Sequence, residues 1–248
     1  MLYIMTTTTT GINGRLGNQI IRNLAVSLIA EKNNLKVNYF NKDIINRLGI
    51  ELFSGCNIYE HTLVLNEQNY LSIYNYDTIN YNLNPNNSFF QTKEITNLLY
   101  NYLHTDTIKS NIIEKNSFKE RYNMNNDLYI HIRLGDVSHH TPGINYYLKA
   151  IKNIKFDNLY ISTDSSNDTI IKTIMQTYPM SKIIDYNEQL TIQFATTCKN
   201  IILSHGSFSA IIGYLSFYST IYYPEYEINK IWFGDMFSID GWIKCSVN

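Results

Sequence analysis

The strongest constraint in this chain is a glycine-punctuated turn between an extended run and a helical stripe. Leu2 to Thr10 reads as a strand, because its threonines at 6–10 are β-branched residues that suit a pleated surface. Gly11, Gly14 and Gly17 then break it. From Asn18 to Glu31 the apolar residues fall at 20, 21, 24, 25, 28 and 29, the spacing of one helix face. Leu35 to Phe40 reads as a second strand. A β-loop-α-β unit with glycines at its first turn points to an α/β fold of doubly wound type. The turn itself, Gly14-Arg15-Leu16-Gly17-Asn18-Gln19, opens a helix, where backbone N–H groups are free to meet an anion.

A second motif lies mid-chain. Leu128 to Ile132 is a short apolar strand, and His131-Ile132-Arg133-Leu134-Gly135-Asp136 puts a permanent cation at its end. A guanidinium is a rigid, always charged fork suited to phosphate oxygens. Together the two motifs suggest a cleft that holds a diphosphate. Further α/β elements follow: a helix over 146–154 after the Pro142-Gly143 turn, a strand from Leu159 to Ser162 running into Thr163-Asp164, and a helix that Asp168 could cap. Then come a strand over 182–184, a helix over 190–198, and a strand over 201–203 running into Ser204-His205-Gly206-Ser207-Phe208-Ser209. A helix over 210–217 and a strand over 220–223 complete the pattern. Residues 41–85 yield no firm elements, and 88–103 is helical only in its second half. The polar stretch 115–127 is the candidate linker, which gives two α/β halves, 1–125 and 126–248, with ligand at strand C-termini between them. Trp232, Phe233, Phe237 and Trp242 form a C-terminal tail expected to pack back on the body.

Bulk properties exclude several classes. A net charge of −1 gives no global basic field for nucleic acid. No apolar stretch approaches a membrane span, and residues 1–10 lack the form of a signal peptide. Cys56, Cys198 and Cys245 form neither a paired-Cys zinc pattern nor a disulfide framework. A cytoplasmic protein is expected. His139-His140 has no supporting ligand cluster, so no metal is expected there.

With these motifs in order, the chain resembles the α1,2-fucosyltransferases of glycosyltransferase family 11 and shares features with the wider group of α1,2-, α1,6- and protein O-fucosyltransferases. The residues 14–19 match the family's N-terminal glycine motif, and 131–136 look like its H-x-R-R-x-D motif. Ile161-Ser162-Thr163-Asp164 is similar to its Ser-Asp-Asp strand end, and Ser207-Phe208-Ser209 to its Ser-Phe-Ser segment. Phe89-Phe90-Gln91 and Tyr146-Tyr147 with Lys149-Ala150-Ile151 also fall in family order, so the resemblance spans roughly residues 3–225. It implies a GT-B fold, GDP-fucose as donor, inversion at the anomeric carbon, an acceptor glycan and neither a metal nor another cofactor. The departures are Leu134 in place of a second arginine, Thr163 in place of the first aspartate, and Ala210-Ile211 in place of an aromatic pair. They bear on the sugar and the acceptor rather than on the reaction class.

The expected site residues follow. Gly14, Arg15 and Gly17 bring the loop close to the donor, and Asn18 reaches the reacting sugar or the diphosphate. Arg133 takes the charge that builds on the leaving diphosphate, a task that falls to a fixed cation when no metal is present. His131 is either a satisfied core or strand-end histidine or, as the resemblance implies, a contact to the nucleotide. Asp136 caps the next segment, holds Arg133 in place, or serves as a base towards the acceptor hydroxyl. Asp164 is a base or ribose contact, or a cap. Ser207 and Ser209 are either plain N-caps or part of a phosphate site at a helix N-terminus, with Phe208 packing beside them. Three alternatives stand beside this reading: transfer of another 6-deoxy sugar, a sugar- or nucleotide-binding module without turnover, and a dinucleotide-dependent oxidoreductase. The last needs an acidic residue at the end of the second strand, where Phe40-Asn41 stand.

Overall fold

The computed structural model describes residues 7–225 and 234–247, with the side chains of Val137 and His139 excepted. Residues 2–6 of the first expected strand, and Trp232 and Phe233, lie outside the described residues. In the N-terminal half β1 (Thr8–Thr9) pairs in parallel with β2 (Val37–Asn38). Between them runs α1 (Leu16–Asn33), which stops at Asn34 in the left-handed region at φ 52°. The asparagine side chain tolerates that region well, so it makes a natural helix end. α1 is buried on nearly every face, more than the expected stripe requires.

Residues 41–85, unreadable in the sequence, hold short elements. α2 (Lys42–Arg47) precedes a second parallel pair, β3 (Thr62–Val64) with β4 (Asn82–Asn84), and α3 (Tyr70–Asn75) lies in the connection between its strands. Two- and three-residue strands are too short to show an alternation. Next come α4 (Lys93–Leu103), capped by the Thr92 hydroxyl accepting from Ile95 N, and α5 (Asp106–Lys115). The polar stretch after α5 is tied into the body. Asn116 is buried and its amide donates to Gln193 O, and Asp127 is buried against Arg121 at 2.7 Å.

The second half is an α/β sheet. β5 (Leu128–Ile132), β6 (Leu159–Thr163), β7 (Lys182–Ile183), β8 (Asn200–Ile202), β9 (Thr220–Pro224) and β10 (Ile243–Cys245) are all parallel, in the order β10-β9-β8-β5-β6-β7. Counted from β5 this is the 3-2-1-4-5-6 order of a doubly wound sheet, with its switch point between β5 and β8. β5 is buried at every residue, as a central parallel strand must be. The connecting helices are α6 (Ile144–Lys152), α7 (Thr169–Thr177), α8 (Glu188–Ala195) and α9 (Ser207–Tyr214). Asp168 caps α7 as expected, accepting from Ile170 N at 2.8 Å. The last helix starts three residues earlier than its apolar run suggests, at Ser207. β10 was not expected; Trp242 beside it packs on Tyr214 and Phe237.

One apolar cluster runs from α1 and α4 through α8 and α9, and a second lies between β5, β6, α6 and α7. Among the described residues no helix is long and apolar enough to cross a membrane. The packing of α1 on α9 depends on Gly17: a Cβ there would lie 2.5 Å from Phe208 N and 2.6 Å from the Ser207 carbonyl carbon. Backbone cannot yield as a side chain does. Gly17→Ala should therefore cost about 1–3 kcal/mol as an overpacking change, seen as a lower urea midpoint at unchanged slope. A midpoint equal to wild type would show that α1 and α9 are free to part.

Candidate functional site

Because β5, β6 and β8 are parallel, their carboxyl ends lie on one edge, and the residues that follow each of them meet there. A cavity of about 410 Å³ opens at this edge, beside the switch point. The loops after β5, β6 and β8 line it with Arg133 and Asp136, Asp164, and His205-Gly206-Ser207 respectively. The N-terminal half contributes Gly14, Arg15 and Asn18 from the glycine turn, with Phe89 and Gln91.

Two helices begin at this cavity. α1 starts after Arg15 and α9 after Gly206, and neither has a side-chain cap. Their first N–H groups are left open, and the positive ends of two helix dipoles lie together through the Gly17 contact. Gly206 holds φ 100°, a conformation that suits glycine, to turn the chain into α9. Neither serine of 207–209 is an N-cap. Ser209 Oγ instead accepts from Ser204 N at 3.0 Å and pairs with His131 Nδ1 at 2.6 Å.

Four charged side chains form a closed ring. Arg133 donates through Nη1 to Asp164 Oδ2 and through Nη2 to Asp136 Oδ1. Arg15 reaches the same carboxylates, Asp136 Oδ2 at 3.2 Å and Asp164 Oδ2 at 3.4 Å. The members differ in freedom. The Arg133 side chain is 15% exposed, whereas Arg15 is 54% and Asp136 60% exposed. Asp164 is fixed further by accepting Leu134 N at 2.9 Å, and Gly135 is what makes room for it: a Cβ there would lie 2.5 Å from Asp164 Oδ2. The ring is formally neutral, and Asp185 and Glu188 also line the cavity.

His131 is buried, and burial pushes its imidazole down to about 4, against a smaller upward pull from Asp164. It is neutral near pH 7 and carries no charge to the site. Its ring centroid stands 5.1 Å from that of Phe208. Ser204 ties this corner together: its Oγ accepts from Tyr147 Oη at 3.0 Å and from Arg133 N at 3.2 Å. His205 Nδ1 lies 2.7 Å from His140 O.

Of the residues expected from sequence, Gly14, Arg15, Asn18, His131, Arg133, Asp136, Asp164, Ser207 and Phe208 line the one cavity. Gly17 and Ser209 do not; they stand behind its wall, Gly17 as the helix contact and Ser209 as the partner of His131. Sequence reasoning assigned no role to Arg22, which is fully buried in α1 and donates to Gly11 O, Asn13 O and Ser88 O. Arg22 lies off the apolar stripe at 20, 21, 24, 25, 28 and 29, so the sequence carries no signal of its burial. Sequence reasoning likewise assigned none to Glu188 or Asp185. The His139 side chain lies outside the described residues, and no group of three His, Cys, Asp or Glu among the described residues could hold a metal ion.

Compared with known proteins, the chain matches no family model and no curated protein sequence.

The buried His131 sets a pH test. In the unfolded chain the imidazole titrates near 6.5, in the folded chain near 4, so between these values the unfolded state binds more protons. The stabilisation from keeping His131 neutral is present above about pH 6.5 and is lost as pH falls towards 4. Burial also lowers His104 and His205, which both proteins keep, so the comparison isolates His131. Denaturation midpoints at pH 7 and pH 4.5 should fall further in wild type than in His131→Gln. Equal falls would place His131 in water.

Proposed function

We propose that this chain is an inverting, metal-independent glycosyltransferase that moves L-fucose from GDP-fucose to a hydroxyl of an acceptor glycan, in α1,2 linkage. In this reading residues 1–125 and 126–248 are the two Rossmann-like halves of a GT-B fold. The observation that carries the proposal is the convergence of two uncapped helix N-termini and two arginines on one cavity beside a doubly wound switch point. Such a place favours a nucleoside diphosphate. The ordered motifs favour GDP-fucose within that class.

The acceptor oxygen bonds to the anomeric carbon from the face opposite the nucleotide. The bond from that carbon to the β-phosphate oxygen breaks, and its electron pair leaves with GDP. Arg133, buried enough to be preorganised, takes the charge that develops on that oxygen. Asp136 and Asp164 hold both guanidiniums. When a diphosphate takes the arginines, Asp136 is released to accept the acceptor's proton. In this reading Asp164, which follows the second strand of the doubly wound order, contacts the ribose. An oxidoreductase is less well supported. The loop after β5 holds Gly135 alone in residues 133–136 and passes into a short 3₁₀ turn rather than opening a helix directly.

Arg133→Ala should lower turnover by roughly 10²–10³ while the protein stays folded. Arg133→Lys should recover little, since a point charge lacks the bidentate fork. A structural ion pair would instead cost less than about 1 kcal/mol of stability and spare turnover; a folded Arg133→Ala protein at wild-type rate would remove the case for catalysis here. The reaction should also continue in excess EDTA. Loss of activity that Mn²⁺ or Mg²⁺ restores would contradict the metal-independent step.

A further inference from the structure

The wall that the N-terminal half brings to the cavity is held more firmly than a solvent-facing loop requires. Phe90 has φ 56° although it is not glycine, a costly conformation, and it is fully buried with its ring centroid 5.5 Å from that of Tyr70. One carboxylate oxygen, Glu67 Oε1, accepts both Phe89 N at 2.7 Å and Phe90 N at 2.9 Å. Arg22 Nε donates to Ser88 O at 3.1 Å, and Nη1 of the same guanidinium donates to Asn13 O at 2.8 Å and Gly11 O at 3.3 Å. A single buried side chain thus sets the glycine turn and the segment 88–91 at fixed spacing. The next residue, Gln91, is 4% exposed, and its Nε2 donates to Asn18 Oδ1 at 2.8 Å.

That bond decides which end of the Asn18 amide is committed. Oδ1 is occupied by Gln91. Nδ2 lies beside Gly14, where a Cβ would approach it to 2.6 Å, and it has no acceptor among the described residues. Asn18 lines the cavity, so its free group is a donor. In this structure Gln91 presents Nε2 to Asn18, and that donor is what commits Oδ1 and leaves Nδ2 uncommitted.

We propose that Gln91 is a positioning residue: it orients Asn18 so that Nδ2–H, and not Oδ1, is offered to the transferred sugar and the leaving oxygen. The inference rests on the transferase reading and adds to it a residue that acts only through Asn18. Glu in place of Gln91 has nearly the same shape and cannot donate to Oδ1. It accepts instead, and draws Nδ2 away from the cavity.

The test measures GDP-fucose turnover and, separately, stabilisation of the fold by GDP. Gln91→Glu should lower kcat on the order of 10². Gln91→Ala, which leaves Asn18 free to adopt either orientation, should lower it less. The decisive comparison is made in an Asn18→Ala background, where Gln91→Glu should change turnover less than about twofold because residues acting as a unit are not additive. A loss caused merely by new negative charge, or by damage to packing, would persist in full in that background and would overturn the proposal. So would wild-type turnover by Gln91→Glu. These outcomes leave the transferase reading intact, since wild type is active in both. A wild-type chain that neither binds GDP nor consumes GDP-fucose overturns the reading and the proposal together.

Discussion

Everything at the cavity depends on how closely α1 can approach α9. Gly17 lets the backbone of one helix touch the first residues of the other, and no larger residue fits the space. The consequence is electrostatic as much as steric. Two helices start uncapped within a few ångström of each other, one from each half of the chain, so their open N–H groups share one side of the cavity. Capping both would have been the stabilising choice for a purely structural contact. Leaving them open, at a glycine turn and at the positive-φ Gly206, keeps an anion site available.

The arginine–aspartate ring completes that arrangement. Exposed pairs of this kind contribute little net stability, because each guanidinium exchanges water for carboxylate at modest gain. Arg15 and Asp136 are both more than half exposed and can part at small cost. Arg133 and Asp164 are the fixed members, held by Ser204 and by Leu134 N. The ring therefore keeps two guanidiniums in reach of the cavity without leaving them unneutralised; in the proposed reading a diphosphate would replace the carboxylates rather than meet bare positive charge.

Legibility in the sequence followed the length and regularity of each element. β5 was readable over its full length, Leu128–Ile132, because a central parallel strand is apolar throughout. α7 was readable from its Asp168 cap, which the structure keeps. The elements of 41–85 were not, since two parallel strands of three residues carry no period to detect. α9 was placed three residues late because its hydroxyl-bearing first turn looked like a loop; Ser209 points inward to Ser204 and His131 instead of capping. At the site, the motif residues after β5 and β6 were legible as strand-end polar groups. The supports were not. Arg22, Glu67 and Gln91 act through backbone carbonyls, backbone N–H groups and one side-chain amide that come together only through tertiary packing.

The most direct measurement of the central claim is the melting temperature of the purified chain against a panel of GDP, UDP, dTDP and NAD at equal concentration. A nucleotide that binds only the folded state raises the melting temperature by mass action. GDP should stabilise wild type more than the other three, and should stabilise Arg133→Ala much less. Preferential stabilisation by UDP or dTDP would keep the reaction class and contradict the fucosyl donor. Stabilisation by NAD alone, or by none of the four, would contradict the assignment of this cavity to a sugar nucleotide.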